Sequence, residues 1–386
     1  MSDRRRRRPP IAVGLVAVLA AAPATVAGQA VPAGAPPTPG TAALRSAALD
    51  AAAGWRDTLE AHRTPQLPAP GDTESAILLL AGPAAAAAAP ADRAAAAQTV
   101  TARQQALYPV LASLGATVTF RSRVLVNAIG VRLPAGRLES LAALPEVRAV
   151  VPVAFLAPAQ AAGPRVPAPL PAPEAGPPAR RAPAGRDPAH IALIDAGIDA
   201  SHPWLGGGMG PTFPVIGGYD LLDRDPDPSY DPADPAAEGH GTQMASLVLR
   251  SAALAGLPPA RAPRLLAYRV VAREAVDGRL RPLARTDRVL AALDRAIDPD
   301  GDGDPSDGAE VILMGLAAGF DGGAIDPVAQ ALAAADRVGA TVVVPAGNDG
   351  PTYSRPGSIG GPAAAPSAIA AGGLSAPATP RTADLE

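Results

Sequence analysis

A histidine between two glycines, in Glu238-Gly239-His240-Gly241-Thr242-Gln243-Met244-Ala245, is the stretch best suited to chemistry. The glycines allow a sharp turn and close approach of other groups, and the apolar run after Thr242 reads as the start of a helix. An imidazole at such a junction titrates near neutrality, so it can accept and return a proton at working pH. A base of this kind needs a group to orient it. The candidate is Asp195, at 240 − 195 = 45 positions earlier, in Ile194-Asp195-Ala196-Gly197-Ile198-Asp199. The other histidines, His62, His190 and His202, lack the glycine flanks and read as solvated or structural.

These two groups have to be carried by ordered elements, and the chain has room for them. Its 386 residues suit two domains with tails, and 48% of them are hydrophobic, though much of that is alanine. The 47 prolines crowd into a few segments that read as linkers. All 33 basic residues are arginine. With no cysteine, a disulfide framework, a thiolate metal site and a Cys nucleophile are excluded. A net charge of −3 gives no reason to expect nucleic acid or an anionic membrane as partner.

The Asp195 and His240 stretches resemble the Asp and His motifs of the subtilisin-like serine proteases, the forms I-D-T/S-G-I-D and H-G-T-x-V/M-A. Pro345-Ala346-Gly347-Asn348 is similar to that family's A-A-G-N, and Gly315-Leu316-Ala317 falls where it has S-L-G. The resemblance implies that His240 is general base and acid, that Asp195 orients it and that Asn348 donates to an oxyanion. It implies further that the strand at Gly315, Leu316 and Ala317 pairs with an extended polypeptide substrate.

From 188 to 386, apolar runs without alternation are followed by helical patterns: strands at 191–194, 265–271, 311–316 and 341–344, and helices at 243–253, 286–297 and 326–338. This predicts an α/β fold with a doubly wound, mostly parallel sheet, with sites beyond the carboxyl ends of the strands. Residues 74–156 read as β-α-β-β-α-β, with one of its strands at 124–133, a small ferredoxin-like α+β domain. Placed before a subtilisin-like domain, it resembles the family's inhibitory propeptide, which would act here as an intramolecular inhibitor.

Residues 1–30 read as an export signal, with arginines at 4–8, an apolar stretch at 11–22 and small residues after it. Twelve apolar residues are too few to span a bilayer, so secretion without a stable membrane anchor is expected. Residues 31–73 and 157–187 are Pro/Ala-rich, the first read as poorly ordered and the second as an exposed linker where the propeptide is cut.

Two features fit less simply. The motif G-T-S-x-A-x-P, which would carry the family's nucleophile, does not occur, so a front part of a longer protease is expected, inactive by itself. Asp298, Asp300 and Asp302 match the start of a calcium loop, but Ala309 stands where the bidentate Glu belongs; no cofactor is required by the expected mechanism, and calcium stays an option. Two other classes remain: a non-catalytic peptide-binding protein on the same scaffold, and a metal-dependent hydrolase, which would lack a histidine cluster.

Overall fold

A run of unalternating apolar residues makes sense only where both faces of a strand are covered, and the computed structural model shows how. It describes residues 73–159, 188–230, 239–276, 278–318, 326–347 and 359–372, which belong to one compact unit. The expected signal and the segment 31–72 lie outside the described residues.

The larger domain is built on a parallel six-stranded sheet. Its members are β6 (His190–Asp195), β7 (Val215–Asp220), β8 (Arg264–Arg269), β11 (Val311–Met314), β13 (Thr341–Pro345) and β14 (Ala368–Ala371), in the order β14-β13-β11-β6-β8-β7. Helix α3 (His240–Leu254) covers one face, and α4 (Thr286–Ile297) and α5 (Pro327–Val338) cover the other. Alternate residues of each strand divide between the two cores. Ile191, Leu193 and Leu313 pack with Ala245 and Val248 of α3, while Ala192, Ile194, Ile312 and Met314 pack with Leu290, Leu293 and Leu332 of α4 and α5. Both faces are therefore dry, and polar alternation would have been destabilising.

The smaller domain has strands β1 (Thr73–Leu80), β2 (Thr117–Ser122), β3 (Ala128–Pro134) and β4 (Val147–Pro152), with α1 (Arg93–Ser113) and α2 (Leu138–Ala142). Its antiparallel order β2-β3-β1-β4 is that of the split β-α-β pattern. One face, with Ala76, Leu78, Ile129 and Val131, packs on Leu107 and Leu111 of α1. The opposite face, with Ile77, Leu79 and Ala128, belongs to the same core as α4 and α5 of the larger domain. The small domain thus completes its second hydrophobic face only by docking.

Three readings change. The strand expected at 124–133 begins at Ala128, because 123–127 form a connection that binds the larger domain. The strand expected at 265–271 ends at Arg269; the chain turns at Val270 into β9 (Val271–Val276) and the antiparallel β10 (Arg279–Arg285). The expected linker at 157–187 starts too early. Strand β5 (Phe155–Pro158) belongs to a second sheet, ordered β12-β5-β10-β9, where β12 is Leu316–Ala317. Among the described residues no helix is long and apolar enough to cross a membrane.

Candidate active site

Asp195 ends β6 and His240 opens α3, so they stand at a strand-to-loop and a loop-to-helix junction at the carboxyl end of the parallel sheet. The chain between them, which includes β7, is brought back by close backbone contact. A side chain at Gly241 would run into the Gly197 carbonyl, and the Thr242 hydroxyl accepts from the Asp199 N–H at 2.9 Å. The start of α3 is thereby tied to the loop after β6.

In this arrangement the Asp195 Oδ1 lies 2.6 Å from His240 Nδ1 and also accepts the Ala196 N–H at 2.6 Å. Both side chains are buried, Asp195 1% and His240 5% exposed. Burial by itself pulls the imidazole pKa down. The hydrogen bond and charge of Asp195, with a main-chain contact from Ala159, outweigh it, so the His240 pKa is raised above its ordinary value. The Nδ1 proton is held on the Asp195 side, which leaves Nε2 as the working nitrogen.

The second oxygen of Asp195 has no hydrogen-bond partner among the described residues. It points at Gly315, where any Cβ would overlap it. Gly315 was expected on the cleft wall as the first residue of an S-L-G-like strand. The structure gives it a further place, behind the carboxylate, and breaks the strand expected at 311–316 into β11 and β12 at this residue. Its N–H donates to the Ile194 carbonyl at 3.0 Å, and its carbonyl accepts the Ala159 N–H at 3.0 Å.

That last bond marks a cleft already occupied by the chain itself. Ala157 pairs with Ala317 and Pro158 with Leu316 along β12, antiparallel. On the other side Leu156 pairs with Ala284 and Phe155 with Arg285 along β10. Ala154 and Thr286 exchange two bonds, at 2.9 and 3.0 Å. Leu156 is 2% exposed, so the strand is anchored by an apolar side chain as well as by its backbone. Main-chain pairing of this kind accepts an extended peptide of varied sequence, with pockets for alternate side chains.

The small domain is also gripped elsewhere. The carboxylate of Asp294, on α4, accepts the Ser122 hydroxyl at 2.9 Å and the N–H groups of Arg123, Val124 and Leu125 at 3.0, 3.1 and 2.8 Å. The sequence held a signal for it: an acid among Leu290, Leu293 and Ile297 on the apolar stripe of α4. Such a buried carboxylate must find donors.

Of the expected site residues, Asp195, His240, Gly315, Leu316 and Ala317 come together. Asn348 lies outside the described residues; its neighbour Gly347 sits against Ala317 at the cleft wall. Asp199 closes a turn with Ser201, and His202 Nδ1 accepts the Trp204 N–H, so both are structural as read.

The acidic loop is rearranged relative to expectation. Asp298, Asp300 and Asp307 can bring oxygens within 4.8 Å of one another, while Asp302 instead accepts the Asp304 N–H at 2.6 Å. Arg123 of the small domain lies 2.9 Å from Asp298 and bonds the Gly301 carbonyl. A divalent cation at this trio would have to compete with that guanidinium.

Comparison with known proteins agrees with the motif reading. Residues 187–383 match the sequence model of the Subtilase family. A thermophilic serine proteinase of Bacillus sp. (strain AK1) is 33% identical over 164 residues, 42% of this chain and 33% of its own. The chain therefore matches about a third of that relative's length. Among solved structures, the epidermin leader peptide processing serine protease EpiP of Staphylococcus aureus aligns over 78% of this chain and 69% of its own, at 12% identity and a TM-score of 0.44. An S41 psychrophilic protease aligns over 48% and 57%, at 22% identity and a TM-score of 0.32. With its Asp-His pair, its parallel sheet and more than half its length matched to the family sequence model, the chain belongs to the subtilase family.

Proposed function

We propose that this chain is the front part of a secreted serine endopeptidase precursor, held inactive by its own N-terminal domain. In this reading residues 74–156 are the propeptide and 188–386 the beginning of the peptidase domain. A serine hydroxyl attacks the carbonyl carbon of a bound peptide while His240 Nε2 takes its proton. Asp195 stabilises the resulting imidazolium, and Asn348 donates to the oxyanion, an interaction worth roughly 2.7–4 kcal/mol in comparable enzymes. His240 then passes the proton to the leaving amine, and water releases the acyl group. The reading places the serine beyond Glu386, since no G-T-S-x-A-x-P motif lies within the chain. Export rests on the arginines at 4–8 and the apolar stretch 11–22. Calcium has no step in this mechanism.

One observation carries the reading. The strand Phe155–Pro158 runs antiparallel to β12, and the next residue, Ala159, bonds Gly315 and contacts His240. A chain segment lying against the base in the manner of a substrate is what an inhibitory propeptide requires. In this reading the peptide bond after Ala159 is the one attacked, so cleavage is expected between Ala159 and Gln160.

The test is to express the reading frame extended past Glu386 and assay a peptide carrying Phe-Leu-Ala-Pro-Ala. Hydrolysis after the last alanine, insensitive to chelator, blocked by a serine-acylating reagent and reduced by at least about 10⁴-fold in His240→Ala, is expected. Activity unaffected by His240→Ala would sink it.

A further inference from the structure

A cleft of about 580 Å³ opens between the sheet of the small domain and α4 of the larger one, well within the size range of small-molecule sites. It is lined by seven arginines against four aspartates. Three of the arginines have acid partners: Arg123 with Asp298, Arg285 with Asp287 and Arg288 with Glu274. Arg121, Arg132, Arg224 and Arg295 have no carboxylate partner among the described residues. Of the four aspartates, Asp300 pairs with none of these arginines and accepts the Asp302 N–H at 3.0 Å, and the other three are engaged. Asp294 is taken up by four donors, and Asp287 and Asp298 by their own arginines.

The free guanidiniums are placed, not scattered. Arg224 Nη2 donates to the Thr119 carbonyl of β2 at 3.3 Å. Arg121 follows Thr119 by two residues, and Arg132 of β3 is paired with Thr117 just before it. Arg295 faces them, held 3.7 Å over the ring of Tyr219. Arg224 is also the one non-glycine among the described residues with a left-handed backbone, φ 63°, a conformation that carries strain for such a side chain. Strain kept at a concave site is a pointer to function, and like charges gathered along one cleft, three of them exposed to solvent, repel unless an anion joins them.

We propose that this cleft binds a small multivalent phosphate-type anion, for which the planar forks of several arginines are suited. Because Arg121 and Arg132 come from one domain and Arg224 and Arg295 from the other, the bound anion ties the two together. That consequence for release of the small domain rests on the propeptide reading; the binding itself does not.

The probe is inorganic pyrophosphate, titrated calorimetrically into the full chain against chloride at matched ionic strength. One saturable site and a raised thermal midpoint are expected. The double variant Arg121→Gln/Arg132→Gln, and separately Arg224→Gly, should each weaken binding by about tenfold or more. Arg224→Gly relieves the left-handed strain, so it should fold at least as well as the parent and keeps the test independent of misfolding. Absence of saturable binding by the parent, or unchanged affinity in Arg224→Gly, overturns the proposal.

Discussion

Two of the places where the small domain is held to the larger one use opposite chemistry. At the cleft, β5 is bound between β12 and β10 through backbone groups, which every residue carries. At α4, one carboxylate gathers four donors from the connection between β2 and β3. The first attachment tolerates sequence change and is open to any extended peptide. The second depends on one side chain and is specific to this partner. On the propeptide reading, a site that later accepts other peptides can use only the first kind of bonding for recognition, and a domain that stays on before that needs the second.

Three experiments sharpen this contrast, each using the full chain nicked within 160–187, where Arg180-Arg181 offers a tryptic site. Asp294→Ala should have the largest effect. It leaves four donors, three of them buried, without an acceptor, so docking of the small domain should weaken by about 3–5 kcal/mol, a loss of roughly a hundredfold or more in affinity. Dissociation of the nicked fragment during size exclusion reads this directly. If Asp294→Ala holds as tightly as the parent, the clasp is not the specific attachment.

Leu156→Ala comes next, at about 2–4 kcal/mol for an apolar side chain that is 2% exposed. Its backbone pairing is untouched, so the small domain should loosen without losing its register. A loss exceeding that of Asp294→Ala would reverse the ranking of the two attachments.

The smallest effect is one of pH. The His240 pKa is raised in the folded protein, so its contribution to stability is fully present below its unfolded value of 6.5 and is lost as pH rises through the folded value. In Asp195→Asn the burial that lowers the pKa is no longer outweighed, and the sign reverses. The thermal-midpoint advantage of the parent over Asp195→Asn should therefore be greatest below pH 6.5 and shrink above it. A constant difference across that range would place the coupling elsewhere.

The site was legible to the extent that it rests on local sequence. Gly241 had to be small for α3 to approach the loop after β6, and the Asp195 and His240 stretches read correctly as strand end and helix start. Helix α4 was read at its observed bounds because its apolar stripe repeats over three turns. The misread parts are those whose partners lie far off in sequence. Residue 315 has to be glycine because Asp195 Oδ2 occupies the space of a Cβ, which no pattern near residue 315 reveals. The acidic loop pulls in Asp307 and turns Asp302 outward through bonds between backbone and carboxylate.

By itself the sequence determined the alternation of strand and helix through most of the larger domain, the two-faced burial of the parallel strands and the pair of groups able to move a proton, because hydrophobic period and motif spacing are properties of short stretches. Only the tertiary structure decided that Phe155–Pro158 is a strand. Its composition is that of a linker, and it becomes ordered by borrowing neighbours from residues 279–285 and 316–317, more than a hundred positions away. Hydrogen bonds between distant backbones leave no mark on the residues that make them.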